Sequence, residues 1–155
     1  MSGRRAEIQL SPEEQGELIA SERIVVVSTL GRRGWPHSMP LWYVPRDDEI
    51  WIYTYAKSQK VRNLERDPRA TLLFETGHEY GELRGVEIEA EAEIHRDLDT
   101  VYELARELTL RYSGAAAVGE EAGQALEAQA RKRVAVRFDP RRTATWDHRK
   151  LGGRY

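Results

Sequence analysis

Hydrophobic and polar positions alternate along much of the chain, and the alternation is clearest over residues 86–94. There, valine, isoleucine and alanine occupy every second position and four glutamates stand between them. Because successive side chains of a strand point to opposite faces, the pattern predicts a strand with one buried face and one face in water. We therefore interpret the glutamates as a solvated surface and not as an acid–base or calcium site.

Dense runs of β-branched and aromatic residues predict the other strands. They are expected at residues 24–30, 37–44, 50–55, 70–75 and 134–138, with a further extended segment at 142–147. Turn sequences at 31–34 and 45–48 join the first three strands, which predicts an antiparallel meander. Asp139 and Pro140 are expected to end the strand before them, because proline cannot donate a hydrogen bond to a strand ladder.

Capping residues followed by apolar residues at helical spacing predict four helices. They are expected at residues 12–22, 59–66, 98–112 and 120–132, with Ser11, Ser58 and Asp97 as N-caps of the first three. Residues 1–9 are expected to be a loose leader. Strands joined by short turns, together with separate helices, predict an α+β fold. We expect an antiparallel β-barrel with peripheral helices that forms one domain over residues 1–155.

The strand at 50–55 is apolar on both faces, and only one face can fill a barrel. Something must cover the other face: a partner subunit, the ring of a ligand, or the chain's own helices. We expect a homodimer on this ground, with coverage by the chain's own helices as the alternative.

The composition excludes several functional classes. The chain has 24 Lys and Arg against 26 Asp and Glu residues, whereas nucleic-acid binders usually carry a basic excess. The lack of cysteine excludes disulfides, thiol catalysis and cysteine metal sites, and it is compatible with a reducing compartment. No apolar run is long enough for a signal peptide or a membrane span. We expect a cytoplasmic protein without nucleic-acid or membrane partners.

Familiar catalytic motifs are missing from the sequence. The histidines, at positions 37, 78, 95 and 148, do not share a metal-ligand spacing, so no metal site is expected. Serine-hydrolase, Walker and Rossmann signatures are also missing. An enzyme with this sequence would need an organic cofactor, with the protein supplying placement and electrostatics.

Residues 50–66 predict an anion site. The strand leads to a helix N-terminus at Ser58, where free backbone N–H groups and the helix dipole favour negative charge. Lys57, Lys60 and Arg62 add cationic side chains at the same place. Such a site suits a phosphate or another anionic tail. The alternative is that these residues are ordinary solvated charges on a helix.

A proline inside a predicted strand marks a second candidate site. Pro40 removes a ladder donor and therefore belongs at a sheet edge or a bulge, and such places often lie beside ligands. Trp42 and Tyr43 follow it and can form the wall of a pocket for a flat ring. The alternative is an ordinary aromatic core.

Three stretches together carry a family resemblance. They are residues 37–43 (HSMPLWY), residues 53–72 with the pattern Tyr53-Thr54, Ser58-x-Lys60-x-x-Asn63-Leu64, and residues 146–153 (WDHRKLGG). The chain resembles the pyridoxamine 5'-phosphate oxidase-like family, in particular its flavin/deazaflavin oxidoreductase branch. The resemblance implies a split β-barrel homodimer with two cofactor sites at the dimer interface.

The resemblance also implies three sets of cofactor-binding residues. The first lies along or against the cofactor ring: Met39, Pro40, Leu41, Trp42, Tyr53 and Thr54. The second holds the phosphate end: Ser58, Gln59, Lys60 and Asn63. The third reaches the site from the partner chain: Trp146, His148 and Lys150. A proton could come from Tyr43, Tyr53 or solvent.

One difference from the family affects the expected substrate. In oxidases of pyridoxamine phosphate, basic residues flank the strand beside the ring, whereas Ser38 and Tyr43 stand at those positions here. Residues 40–43 are more similar to members that use coenzyme F420, a deazaflavin hydride carrier with a phosphate and a polyglutamate tail. The basic residues at 57, 60 and 62, with Arg32 and Arg33, can receive such a tail.

The resemblance therefore implies an oxidoreductase that binds F420 at a dimer interface and transfers hydride to an unsaturated small molecule. Two alternatives stay open. One is an FMN-dependent oxidoreductase of the same fold, and the other is a non-catalytic module that binds a flavin or haem.

Overall fold

In the computed structural model, residues 3–153 are described and form seven strands and five α-helices. The strands are β1 (Val25–Leu30), β2 (Pro36–Leu41), β3 (Tyr43–Arg46), β4 (Glu49–Tyr55), β5 (Arg69–Thr76), β6 (Arg84–His95) and β7 (Arg133–Asp147). The helices are α1 (Arg4–Glu7), α2 (Pro12–Ser21), α3 (Gln59–Arg66), α4 (Leu98–Ser113) and α5 (Glu120–Ala130), with 3-10 turns at Tyr80–Glu82, Ala115–Val118 and His148–Leu151.

All seven strands belong to one antiparallel sheet in the order β2-β1-β5-β6-β7-β4-β3. The sheet curls into a split barrel with helices around it, so the predicted α+β fold is confirmed. The first and last two residues of the predicted domain lie outside the described residues. None of the described helices is long and apolar enough to cross a membrane.

The predicted meander of the first three strands is wrong. The expected strand at 37–44 is two strands separated at Trp42, and these lie at opposite edges of the sheet. β2 pairs with β1, whereas β3 pairs with β4. A strand with neighbours on both sides would lose a ladder bond at Pro40, so the edge position predicted for this proline is confirmed.

Two local predictions also need correction. Pro140 does not end its strand, because β7 continues to Asp147 along β6. The register shifts there, with Glu89 opposite Arg142 and Ala90 opposite Pro140, so proline sits at a bulge beyond the end of the β4 pairing. The leader expected to be loose contains the single turn α1, although residues 1 and 2 lie outside the described residues.

The inner side of the barrel holds the larger core. Val27, Ile52, Leu72 and Phe74 are buried there, and α3 adds Val61 and Leu64. The alternation predicted for residues 86–94 is confirmed, because its apolar side faces this core. Its glutamates form cross-strand ion pairs with β7: Glu89 with Arg142, Glu91 with Arg141 and Glu93 with Arg137.

A second core lies on the opposite face of β4. Trp51 packs there with Val101, Leu104 and Leu108 of α4. The argument for a dimer from the two apolar faces of this strand is therefore wrong, because the chain's own helix covers the outer face. The apolar surface that stays open is on the other half of the sheet, where Ile24 is 44% exposed.

Candidate functional site

The split of the barrel lies between β2 and the end of β4. β3 pairs with β4 only as far as Tyr43 opposite Ile52, so residues 53–55 have no sheet neighbour on that side. β3 follows β2 after the single residue Trp42, and β4 is antiparallel to β3. The free end of β4 therefore points toward β2. Trp42 stands where the chain crosses the split. The predicted ring residues lie on these two free edges, and we call the region where the edges meet at Trp42 the slot.

α3 closes the end of this slot. Its N-cap Ser58 has extended backbone geometry, but the side chain makes no capping bond, and its Oγ is buried without a partner in the described part of the chain. The first N–H groups of α3 therefore lack the side-chain acceptor that usually satisfies them. An anion at this position would supply it.

Lys60 is the charged group buried at the slot. The residue is 7% exposed, and its Nζ donates to Thr54 Oγ1 at 3.0 Å. Lys60 forms no ion pair with any residue in 3–153, and burial lowers its pKa. An ammonium has three protons to donate, so two stay available for a ligand. A buried cation of this kind attracts an anion strongly because little water screens it.

Asn63 lies beneath α3 and is bonded within the protein. It is fully buried, accepts from Gln59 Nε2 at 2.9 Å, and donates to Thr29 Oγ1 at 3.0 Å. Its amide is satisfied inside the protein, so it positions the exposed Gln59 and fixes α3 on β1. Direct contact of Asn63 with a phosphate stays a prediction. Thr29 was missed from the sequence, although its alternation with Val25 and Val27 places it on the inner face.

Exposed cations surround the buried one. Lys57 is exposed in the turn before α3 and Arg62 is exposed on the helix, whereas Arg66 donates to the carbonyl oxygen of Leu30. This bond brings α3 beside the turn after β1, which carries the exposed Arg32 and Arg33. Arg32 and Arg33 thus lie near the C-terminal end of α3, whereas Lys57 and Lys60 lie at its N-terminal end, and one shared anion surface stays a prediction.

Trp42 and Tyr43 differ in position. Trp42 is 51% exposed and stacks on Tyr112, with ring centroids 4.4 Å apart and planes inclined by 8°. Tyr43 is fully buried, and its hydroxyl lies within hydrogen-bond distance of two backbone carbonyls, those of Ile19 and Glu22. Burial raises its pKa to about 12. Tyr43 therefore neither lines the slot nor donates a proton to a ligand, which corrects both predictions.

Tyr53 stays a candidate for both roles. The β3–β4 register brings it next to Trp42 at the end of the strand pair. Its hydroxyl is buried without a partner in the described part of the chain, and burial raises its pKa. The Arg133 guanidinium lies 4.8 Å from the ring centroid. Of the β2 residues, Met39 and Pro40 are exposed, and Leu41 packs partly against the core.

The C-terminal residues lie apart from this slot within one chain. Trp146 pairs with Gly85, whereas the end of α3 lies near Ala92, whose N–H donates to Pro68. From Gly85 to Ala92 a strand covers roughly 23 Å. His148 Nδ1 donates to Tyr80 at 2.9 Å, and Lys150 Nζ donates to Gln9 and Glu14. A contribution of these residues to the site would need a partner chain and stays a prediction.

Within residues 3–153, no group of three or more histidine, aspartate or glutamate side chains lies close enough together to bind a metal ion. The groups around the free end of β4 are one buried ammonium and one uncapped helix N-terminus on the inner side of the sheet, and the rings of Trp42 and Tyr53 on the side of α4. They can bind an anionic, planar molecule.

Comparison with solved structures supports the fold. A conserved hypothetical protein from Mycobacterium tuberculosis is 40% identical, with a TM-score of 0.88, covering 97% of this chain and 93% of that chain. An F420 reductase is 20% identical, with a TM-score of 0.69 and coverages of 86% and 98%. The haem storage protein HutZ of Vibrio cholerae is 16% identical, with a TM-score of 0.67 and coverages of 90% and 95%. The last two are similar in fold alone.

The family assignment depends on a match to a family model and not on single solved structures. No curated protein matches the chain. The family model described as pyridoxamine 5'-phosphate oxidase matches residues 11–147, which include every strand and α-helices α2 to α5. The chain therefore belongs to the pyridoxamine 5'-phosphate oxidase family.

Proposed function

We propose that the protein is an oxidoreductase that binds coenzyme F420 at the split of the barrel and reduces an unsaturated small molecule. The observation that carries the proposal is Lys60. It is a buried ammonium that forms no ion pair with a described residue, next to an uncapped helix N-terminus and bonded to Thr54 at the free end of β4. An FMN-dependent reaction in the same slot is the alternative.

The residues of the slot fit such a cofactor. The buried, unpartnered hydroxyls of Ser58 and Tyr53 are the kind of groups that a bound molecule satisfies. When bound in its reduced form, F420 would supply a hydride from its ring carbon and would itself be oxidised. The chain's own residues hold the phosphate at Ser58 and Lys60, orient the ring beside Trp42, and exclude water from it.

The exposed cations favour F420 over FMN. FMN ends at its phosphate, which the buried Lys60 and the helix N-terminus can already neutralise. Lys57, Arg62, Arg32 and Arg33 are exposed around α3 and are free to meet further negative charge. They would be needed only by a molecule whose negative charge continues past the phosphate, as the polyglutamate tail of F420 does.

A proton for the reduced product can come from Tyr53. A phenol is protonated at neutral pH, burial raises the pKa of Tyr53 further, and no described residue accepts its hydrogen bond. Solvent is the other source. A non-catalytic carrier of a flavin or haem is the second candidate function, and it is favoured by the lack of a carboxylate–imidazole pair among the described residues of the slot. Turnover of any acceptor by the reduced complex would exclude it.

We also propose that the protein is a homodimer in the cytoplasm. The outer face of β1 and β5 is not covered by a helix and presents Ile24, Val26, Leu30 and Leu73. A second copy of the chain would cover this surface and could bring Trp146, His148 and Lys150 to its partner's slot. The lack of cysteine is compatible with the cytoplasm.

The first prediction concerns cofactor choice. Titration of the purified protein with F420 and, separately, with FMN should show tighter binding of F420 by fluorescence, because only F420 reaches the outer cations. Affinity should rise with tail length and fall with added salt. Tight binding of FMN without binding of F420 would establish the alternative, and binding of neither would contradict both.

The second prediction concerns Lys60 in binding. Lys60→Met should weaken binding of the phosphorylated cofactor by about ten- to a hundredfold, since a charge-assisted contact contributes roughly 1.5–3 kcal/mol. Binding of the dephosphorylated cofactor should change little. The control Lys57→Met removes an exposed cation and should cost much less. Equal losses for both cofactor forms would remove Lys60 from the phosphate role.

The third prediction concerns Lys60 in the ligand-free protein. Because its folded pKa lies below the unfolded value of 10.5, the unfolded chain binds more protons between the two values, and stability rises with pH in that range. Lys60→Met should remove this rise and leave the free energy of unfolding at pH 7 unchanged or higher. Urea denaturation between pH 7 and 10.5 measures it. A loss above about 1 kcal/mol would indicate a structural role instead.

The fourth prediction concerns the dimer. Sedimentation should show two chains per particle, and Leu73→Lys on the outer face of β5 should convert the protein to monomers. Leu110→Lys is the matched control, because Leu110 is 44% exposed on α4 and lies on the covered side of the sheet. A wild-type monomer at micromolar concentration would contradict the proposal.

A further inference from the structure

Trp42 is not held by the sheet. It belongs to neither β2 nor β3, and about half of its surface is exposed, so no strand ladder and little core packing fix its indole. Its ring contact is with Tyr112 on α4, and the two planes are nearly parallel. The orientation of the indole therefore depends on Tyr112.

Tyr112 is itself fixed at several points. The backbone N–H of Tyr43 donates to its hydroxyl at 3.1 Å, and that hydroxyl lies 3.0 Å from the carbonyl oxygens of Tyr43 and Arg23. The Arg23 guanidinium lies over the Tyr112 ring at 4.7 Å and donates to its carbonyl oxygen at 3.3 Å. The Arg111 guanidinium lies 5.5 Å from the same ring.

These contacts fasten the end of α4 to the residue that directly follows Trp42. One face of the indole lies against Tyr112, and its remaining exposed surface is at the split. We propose that Tyr112 is a positioning residue that holds the Trp42 indole in place as a platform for the cofactor ring. The inference rests on the proposed function. It adds Tyr112 of α4 to the site, and none of the predicted site residues belongs to that helix.

The test compares five proteins: wild type, Trp42→Ala, Tyr112→Leu, Tyr112→Phe and Tyr102→Leu. Tyr102 is a half-buried tyrosine of the same helix, ten residues or about 15 Å away, and serves as the control. Two measurements are made on each: near-ultraviolet circular dichroism of the ligand-free protein, which reports the ordered ring pair, and fluorescence titration with F420 and FMN.

Tyr112→Leu should lose the dichroism of the ring pair and bind the cofactor about three- to tenfold more weakly, the range of a lost aromatic stack. Tyr112→Phe keeps the stacked ring but loses the three hydroxyl contacts, so its affinity should lie between those of wild type and Tyr112→Leu. In the Trp42→Ala background, Tyr112→Leu should add no further loss, because Tyr112 acts through Trp42. Tyr102→Leu should lower stability without lowering affinity.

The outcomes separate this inference from the function on which it rests. Wild type that binds neither cofactor overturns both. Wild type that binds, with Tyr112→Leu binding as tightly as Tyr102→Leu, overturns the role of Tyr112 and leaves the proposed function standing. Equal losses for Tyr112→Leu alone and on top of Trp42→Ala would also overturn it.

Discussion

The pairing of β4 determines where a site can form in this protein. On one side, β4 pairs with β7 along residues 50–55, whereas on the other side β3 reaches only Ile52. The last residues of β4 are therefore a free sheet edge, and Pro40 keeps β2 as the opposite edge. The barrel stays split at this point, and Trp42, Tyr53 and the start of α3 gather around the opening.

Within the described residues, the charged side chain of Lys60 has one hydrogen-bond partner, Thr54, and no carboxylate partner. One hydroxyl partner does not compensate for the desolvation of a buried ammonium, which is why its pKa is lowered. The neighbouring Gln59, Asn63 and Thr29 form a satisfied network that holds α3 in place regardless of the charge. A bound phosphate would supply the missing counterion, so cofactor binding and the stability of α3 are linked.

α4 serves the site in two ways. Its middle covers Trp51 and removes the outer face of β4 from solvent, and its end places Tyr112 against Trp42. Because α4 covers the outer face of β4, the apolar surface that stays exposed is the outer face of β1 and β5, on the other half of the sheet. The second makes the slot depend on a helix that carries no family motif. The packing of α4 on the sheet therefore also sets the position of Trp42 at the slot.

The sequence by itself determined the local structure: the alternation in β6, the N-cap at Ser11, the edge position of Pro40 and the motif around Lys60 all lie within short segments. Only the tertiary structure decided that β2 and β3 separate at Trp42, that Tyr43 turns into the core, and that Lys150 bonds to Gln9. Periodicity identifies which face of a strand is buried, because it depends on neighbours in the chain. It does not identify which strand or helix covers that face, because that choice depends on residues distant in sequence that compete for the same surface.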